Sequence, residues 1–405
     1  MQIYQVGGAV RDELLGLEIK DRDWVVVGAT PEQMTALGYR AVGKDFPVFI
    51  HPDTGEEYAL ARTERKTGPG YRGFVFNTSD SITLEQDLQR RDITINAIAR
   101  DERGKLIDPF NGRADLARKI IRHVSDAFIE DPLRVLRVAR FATQFDFAIA
   151  AETGALLKEI SAMGELETLA PERIWTETEK ALHTPRPQRY FEVLRQCGAL
   201  AALFAEIDDL FGVPQTARYH PEIDSGVHTF MALEQAAILS DAAEVRFAAL
   251  VHDLGKATTP RKLWPKHHGH EARGVKLINR LCDRLRVPNR YRELGVLASR
   301  HHLECHRLAE IKPTTILDKL EQLDAWRRPE RFEQFLLVCE ADARGRKGKE
   351  HENYPQADLF RSYRDTCHAI DTNSADFNDL KGAQIAARLR IKRIEAIKRL
   401  KAQMQ

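Results

Sequence analysis

Two aspartates one residue apart, Asp21 and Asp23, lead into the apolar run of KDRDWVVVG. On an extended chain, positions i and i+2 face the same side about 6.6 Å apart. Two hard carboxylate ligands placed this way can hold Mg²⁺ against substrate phosphates, and a two-metal arrangement activates an attacking hydroxyl and stabilises departing pyrophosphate. An isolated Asp-x-Asp more often only keeps a strand end solvated; its neighbours here shift the balance. Gly7 and Gly8 in VGGAVRD permit a close backbone turn, and a helix starting after them directs amides at an anion. Arg11 lies about one helical turn beyond Gly8, where its planar fork can grip a phosphate. This segment holds neither the dinucleotide fingerprint nor the GxxxxGK[ST] phosphate loop. Further on, LEQDLQRRDITINAIA sets Arg91 and Asp92 ahead of an alternating run. That run is expected to be extended, with Ile93 and Ile95 facing a core and Thr94 and Asn96 facing the site. In IEDPLRVLRVARF, Asp131, Arg134, Arg137 and Arg140 recur every three residues as one slowly drifting helical stripe. Such a stripe repels itself unless it meets Asp or Glu, a triphosphate or a nucleic-acid backbone.

A second constellation begins with HTFMALEQA at His228 and continues through AALVHDLGKATTP, KHHGHEARGVKLINRL and LASRHHLECHRL. His252 and Asp253 end an apolar helical segment closed by Gly255. Imidazole and carboxylate together suit a divalent transition metal and can bridge two ions. A single histidine here would more often be structural. Half of the chain's 14 histidines fall in these clusters, at His228, His252, His267, His268, His270, His301 and His302, which favours a metal site.

Positioning the first set requires a small α/β domain. DWVVVGA, FPVFIHP and EEYALAR are short β-rich runs separated by Gly and Pro turns. A helix is expected after Thr30, with Pro31 at its first position and Gly38 near its stop. TGPGYRGFVFNTSD reads as a mobile loop leading into a short strand, and Glu57, Arg62 and Arg65 are expected to support the Asp21–Asp23 site from the EEYALARTER strand. From Asp115 onward the period becomes helical, interrupted at Pro171, at residues 184–187 and at GVPQTARYHPEIDSG. The expected fold is α+β: a head with a small β-sheet at 1–115, then all-α segments at 116–224, 225–326 and 327–405. The 405 residues exceed what one core usually holds, so several domains are expected.

A net charge of +1 excludes a globally basic protein but not a local nucleic-acid surface. Residues 381–405 carry eight Lys or Arg against Glu395 alone, a candidate RNA contact or an ordinary basic helix. Five scattered cysteines with no CxxC pair argue against a disulfide framework and for a reducing, cytoplasmic setting. The first residues do not resemble a signal peptide, and no apolar run approaches membrane-spanning length.

GGAVRD, DRD, RRDITINA and EDPLRVLRVARF, in that order, resemble the class II tRNA nucleotidyltransferase and bacterial poly(A) polymerase family over at least residues 1–145. That resemblance implies a head similar to DNA polymerase beta. It implies that Asp21 and Asp23 bind catalytic Mg²⁺, and that Gly8 and Arg11 contact the nucleotide phosphates. Arg91, Arg137 and Arg140 would surround the incoming nucleotide, while Asp131 and Arg134 read its Watson–Crick edge. Residues 225–325 resemble the HD phosphohydrolase superfamily. This implies His228, His252 and Asp253 as ligands of Ni²⁺ or a similar metal, with Asp342, His270 and His301 as further candidates. It also implies 2',3'-cyclic phosphodiesterase, 2'-nucleotidase and phosphatase activity on RNA ends.

The fusion of the two units points to the CCA-adding members of the first family. Their reaction is template-independent addition of CCA to tRNA from CTP and ATP, releasing pyrophosphate. tRNA would be met at its acceptor arm and 3' end, by a monomer or a homodimer. The rivals are a poly(A) polymerase and a non-catalytic RNA-binding protein. Intact Asp21, Asp23, His252 and Asp253 argue against the latter, since binding alone needs neither set.

Overall fold

A computed structural model describes residues 1–19, 21–42, 48–66 and 74–403. The chain divides into two compact units. The first is Met1–Ala181 with Arg189–Leu203, and the second is Leu182–Gln188 with the chain from Phe204 onward. Among the described residues, no helix is long and apolar enough to cross a membrane.

The first unit is built on strands β1 (Gln2–Val6), β2 (Asp23–Val27), β3 (Arg40–Val42), β4 (Val48–Ile50), β5 (Glu57–Leu60), β6 (Thr63–Lys66), β7 (Phe74–Asn77), β8 (Ala99–Asp101) and β9 (Leu106–Ile107). Seven form one sheet in the order β3-β4-β5-β2-β1-β8-β9, and β6 and β7 pair separately. β2 is central. It runs antiparallel to β1, with Asp23 opposite Val6, and parallel to β5, with Asp23 opposite Glu57. Its alternation fixes the register. Val25 packs with Val6, Leu88 and Ala97 on one face, and Val26 packs with Met34, Phe49 and Leu60 on the other. A one-residue slip would exchange the two faces and expel Asp23 from the strand end.

The helix expected after Thr30 is present as Pro31–Ala36. Thr30 and Gln33 form a reciprocal capping box, and Gly38 takes φ 87°. The segment RRDITINA departs from expectation: Thr94–Asn96 is a single 3₁₀ turn, and Ile93, Thr94, Ile95 and Asn96 are all buried. The cause is local. Asp92 Oδ1 accepts from Ile93 N at 2.9 Å and from Asn96 Nδ2 at 3.1 Å, closing the turn that a strand would have left open. Phe46 and Pro47, and the loop at 67–73, lie outside the described residues.

The second unit is helical. Helices Ser225–Leu239, Ala243–Val251, His270–Arg284, Asn289–His306 and Pro329–Arg344 carry the histidine-rich segments and Asp342. Phe335, Leu336 and Cys339 of the last of these share a core with Ala248, Leu294 and Ala298, so the division drawn at 326/327 crosses a continuous core. The basic helix Ala383–Gln403 is largely engaged within its own unit. Arg390 pairs with Asp318 and Glu321, Lys392 pairs with Asp376, and Arg393 lies 4.2 Å over the Trp326 ring. Lys398 and Arg399 remain exposed.

Candidate functional site

Gly7 caps the short helix Gly8–Leu14 at φ 71°, ψ −133°, a conformation glycine adopts without cost. A Cβ there would lie 2.9 Å from Arg91 Nη1 and 4.0 Å from Asp23 Oδ2, so this turn is where the arginine and the carboxylate meet. Asp23 opens β2, while Asp21 stands two residues ahead of the strand rather than on it, and both are exposed. Surrounding protein pushes the Asp23 carboxyl above its ordinary value; Arg91 opposes the shift and Asp21 reinforces it. Two carboxyls that disfavour each other's charge suit a divalent cation.

Arg11 donates from Nε to Asp12 Oδ1 at 2.8 Å and from Nη1 to Asn96 Oδ1 at 2.5 Å. Helix Leu133–Phe145 meets it through an aromatic ring: the guanidiniums of Arg11, Arg137 and Arg140 lie 5.2, 5.4 and 3.9 Å from the Phe141 centroid. The negative partners that the arginine stripe requires are Asp92 and Glu177. Arg137 Nε donates to Asp92 Oδ2 at 2.7 Å, and Arg140 Nε donates to Glu177. Arg11, Arg91 and Arg137 are thus connected through Asn96 and Asp92, Arg140 joins Arg137 at Glu177, and a Cβ on Gly8 would lie 3.5 Å from Arg11 Nη2. Asp131 and Arg134 are engaged both locally and across the chain, Asp131 also facing Arg173 Nη2 at 3.6 Å. Asp131 Oδ1 accepts from Leu133 N at 3.1 Å, and Arg134 donates to the carbonyls of Ala127 and Arg90 at 3.0 and 2.6 Å. These two bonds use two of the five guanidinium N–H groups of Arg134 and fix its plane.

Glu177 is the residue that sequence reasoning missed here, and Asp92 was marked only by its place ahead of the alternating run, not as the partner of Arg137. Burial raises the Asp92 carboxyl, but Arg137 and the Asn96 amide more than reverse this, bringing it to about 2. A depressed carboxyl contributes stability that is present above its unfolded value of about 3.9 and is lost as pH falls towards 2. Asp92→Asn is therefore expected to cost roughly 2 kcal/mol at pH 7 and to flatten the fall in stability between pH 4 and 2. Urea unfolding of both proteins across that range checks it; parallel acid profiles would refute it.

In the second unit, His228, His252, Asp253, His270, His302 and Asp342 are all at most 5% exposed. His252 and Asp253 follow helix Ala243–Val251. Gly255 lets this turn press against the start of helix His270–Arg284, for a Cβ there would fall 1.9 Å from the His270 carbonyl oxygen. In all four histidines Nδ1 lies on a main-chain carbonyl: His228 on Gly345 at 3.1 Å, His252 on Ala249 at 2.7 Å, His270 on His267 at 2.9 Å and His302 on Ala298 at 3.0 Å. A carbonyl only accepts, so each Nδ1 carries a proton and each Nε2 is turned inward.

The inward atoms converge. His228 Nε2 lies 3.0 Å from Asp342 Oδ1, while His252 Nε2 and His270 Nε2 each lie 3.2 Å from an Asp253 oxygen. His302 Nε2 is 3.6 Å from Asp253 Oδ1. His252 Nε2 and Asp253 Oδ1 are buried without a well-directed hydrogen bond. Donor set and orphaned atoms both fit a divalent transition metal. Burial opposes charge on His252, but Asp253 and Asp342 raise it to about 9, and both carboxyls are held well below their ordinary range.

His301 stands apart: its Nδ1 faces Lys319 Nζ at 3.3 Å, and the neighbouring His302 takes the place beside Asp253. His267 bonds to Thr259 and the Pro214 carbonyl instead. Around the cluster, Lys256 Nζ lies 2.5 Å from Asp253 Oδ2, and His306 Nε2 lies 2.6 Å from Asp342 Oδ2 with the Tyr354 hydroxyl behind it.

Three protein-family models match the chain. Residues 3–122 match the poly A polymerase head domain, 146–211 the probable RNA and SrmB-binding site of polymerase A, and 226–342 the HD domain. The chain is 60% identical over its whole length to the multifunctional CCA protein of Thioalkalivibrio sulfidiphilus, covering 99% of that relative. It is 56% identical to that of Hahella chejuensis, covering 99% of this chain and 96% of the relative. A crystal structure of the Bacillus stearothermophilus CCA-adding enzyme in complex with CTP aligns at 25% identity and TM-score 0.59, over 98% of this chain and 89% of that one. A Thermotoga maritima CCA-adding enzyme complexed with tRNA shares the fold at 18% identity and TM-score 0.64, over 100% and 92% of the chains.

Proposed function

We infer that this chain, which belongs to the family of the multifunctional CCA proteins, adds CCA to the 3' end of tRNA from CTP and ATP and hydrolyses phosphate esters at its HD site. The carrying observation is the occurrence of two unlike metal-ready centres in one chain. One is a carboxylate–arginine centre on the first unit, and the other is a buried His–Asp cluster on the second. A poly(A) polymerase needs only the first.

In nucleotide addition, the RNA 3'-hydroxyl attacks the α-phosphate of CTP or ATP and the bond to the β-phosphate breaks, releasing pyrophosphate. Asp21 and Asp23 would hold the divalent ion, proposed as Mg²⁺, which when bound activates the hydroxyl and neutralises the leaving group. Arg91, poised over the Gly7 turn beside Asp23, is placed to meet the phosphates. Arg11, Arg137 and Arg140 supply fixed positive charge along the nucleotide, and Asp131 with Arg134 would distinguish C and A from U and G. tRNA is the proposed partner, met through its acceptor arm, where shape and backbone charge dominate recognition.

At the second centre, His228, His252, Asp253 and Asp342, with His270 and His302 adjacent, would hold a transition-metal ion, proposed as Ni²⁺, that supplies activated water. The proposed substrates are 2',3'-cyclic phosphates, 2'-phosphates and other phosphate monoesters of RNA ends. Five buried thiols support a reducing, cytoplasmic setting.

The test is incubation of the protein with tRNA lacking its terminal CCA, Mg²⁺ and labelled CTP or ATP, separately and together. Two C residues and one A, with arrest there, are expected. Long A tracts would transfer the assignment to poly(A) polymerase, and no incorporation would leave hydrolysis alone.

A further inference from the structure

All four cluster histidines direct Nδ1 at a carbonyl, but His228 differs in one respect: a second acceptor reaches the same nitrogen. Glu222 Oε1 lies 3.0 Å from His228 Nδ1, and the Glu222 side chain is only 2% exposed. The same oxygen lies 3.0 Å from His220 Nδ1, while Glu222 Oε2 accepts from Lys347 N at 3.2 Å. A buried carboxylate is costly unless its oxygens are satisfied, and here both are. Oε1 is shared by His220 and the ligand imidazole. Oε2 serves the turn that follows Asp342, the helix-borne carboxylate facing that imidazole on its opposite edge.

The backbone is bent to deliver this carboxylate. Ile223 takes φ 62°, a left-handed conformation that is an outlier for a β-branched residue. The flanking contacts hold it there. Gln215 N donates to the Ile223 carbonyl at 2.6 Å, and Asp224 caps helix Ser225–Leu239 by accepting from Gly226 N and Val227 N at 2.8 and 3.0 Å. Strain that a fold maintains in this way tends to sit beside function. A slack loop would let residue 223 relax and carry Glu222 away from His228.

We propose that Glu222 is a positioning residue of the HD centre: its carboxylate locks the His228 ring with Nδ1 protonated and Nε2 aimed at the metal, and ties that ring to the turn after Asp342. The proposal rests on the HD reading given above. Outer-shell carboxylates of this kind raise the basicity of a ligand imidazole and fix its tautomer, and their loss weakens metal binding by about 10- to 100-fold. His220 shares the carboxylate and packs edge-on to the His228 ring at 4.6 Å, sealing the far side of the pair.

The experiment titrates Co²⁺ into the metal-free full-length chain and follows both affinity and the visible d–d spectrum. Wild type, Glu222→Ala, the near-isosteric Glu222→Gln and His252→Ala are compared. Far-UV circular dichroism and urea unfolding of the same samples report that each variant is folded. Glu222→Ala is expected to bind Co²⁺ 10- to 100-fold more weakly with a shifted band, and Glu222→Gln, which keeps one acceptor oxygen, to fall between it and wild type. Wild-type affinity and an unshifted band in folded Glu222→Ala would overturn the positioning role while leaving the metal site standing. Equal Co²⁺ binding by wild type and His252→Ala would instead overturn the HD reading, and the proposal with it.

Discussion

Asp23→Asn is expected to lower incorporation of labelled CTP and ATP into CCA-less tRNA on the order of 10³-fold or more, while phosphate-ester hydrolysis continues at the wild-type rate. The substitution keeps the shape of the side chain and its place at the head of β2, opposite Val6 and Glu57. It removes the charge that a cation beside Asp21 would meet. It also leaves Arg91 facing a neutral amide while its pair with Asp87 persists, so the local potential becomes more positive. Nucleotide binding should therefore survive better than turnover, a fall in kcat with a modest change in KM. A residual rate within tenfold of wild type would remove Asp23 from the metal-binding role.

His252→Ala is expected to do the reverse, with hydrolysis falling roughly 10³-fold and CCA addition retained. It carries a second signature in stability. Asp253 and Asp342 are buried beside His252, and removing a partner from a buried charged set costs about 3–5 kcal/mol. The chelated variant should accordingly melt well below the chelated wild type. Loss of both activities in either folded variant, Asp23→Asn or His252→Ala, would sink the assignment of two separate centres.

Much of this was legible in the chain because it depends on neighbours in sequence. Asp23 leading WVVV sets a strand end, Thr30–Pro31 announces a helix, and His252 and Asp253 are adjacent in sequence. What was not legible depends on long closures or on helical phase. Asp342 meets His228 across 114 residues, and Glu177 meets Arg140 across 37. No local pattern marks Glu177 among the chain's 60 carboxylates, and Asp342 was reachable only as a candidate through the family resemblance. His301 and His302 are adjacent, so they differ only by about 100° of rotation on one helix. The phase was present, since Tyr291, Leu294, Ala298 and Cys305 form a buried row that His302 continues. The 3₁₀ turn at Thr94 was hidden for another reason. Alternation of Ile with Thr and Asn mimics a strand, and only the Asp92 side chain decides otherwise.

The arginines around Phe141 have a thermodynamic corollary. Arg137 and Arg140 are already immobilised by Asp92, Glu177, Gln144 and the aromatic ring. Up to about 2 kcal/mol of rotamer entropy per arginine is surrendered when the chain folds, before any nucleotide arrives. For an enzyme that copies no strand, that timing matters. A complementary base in a duplex is a rigid array of donors and acceptors, and a floppy protein surface could not imitate one. Side chains frozen in advance can, and on the reading proposed above Arg137 and Arg140 would hold the nucleotide in register for Asp131 and Arg134, the office that a second nucleic-acid strand holds in templated synthesis.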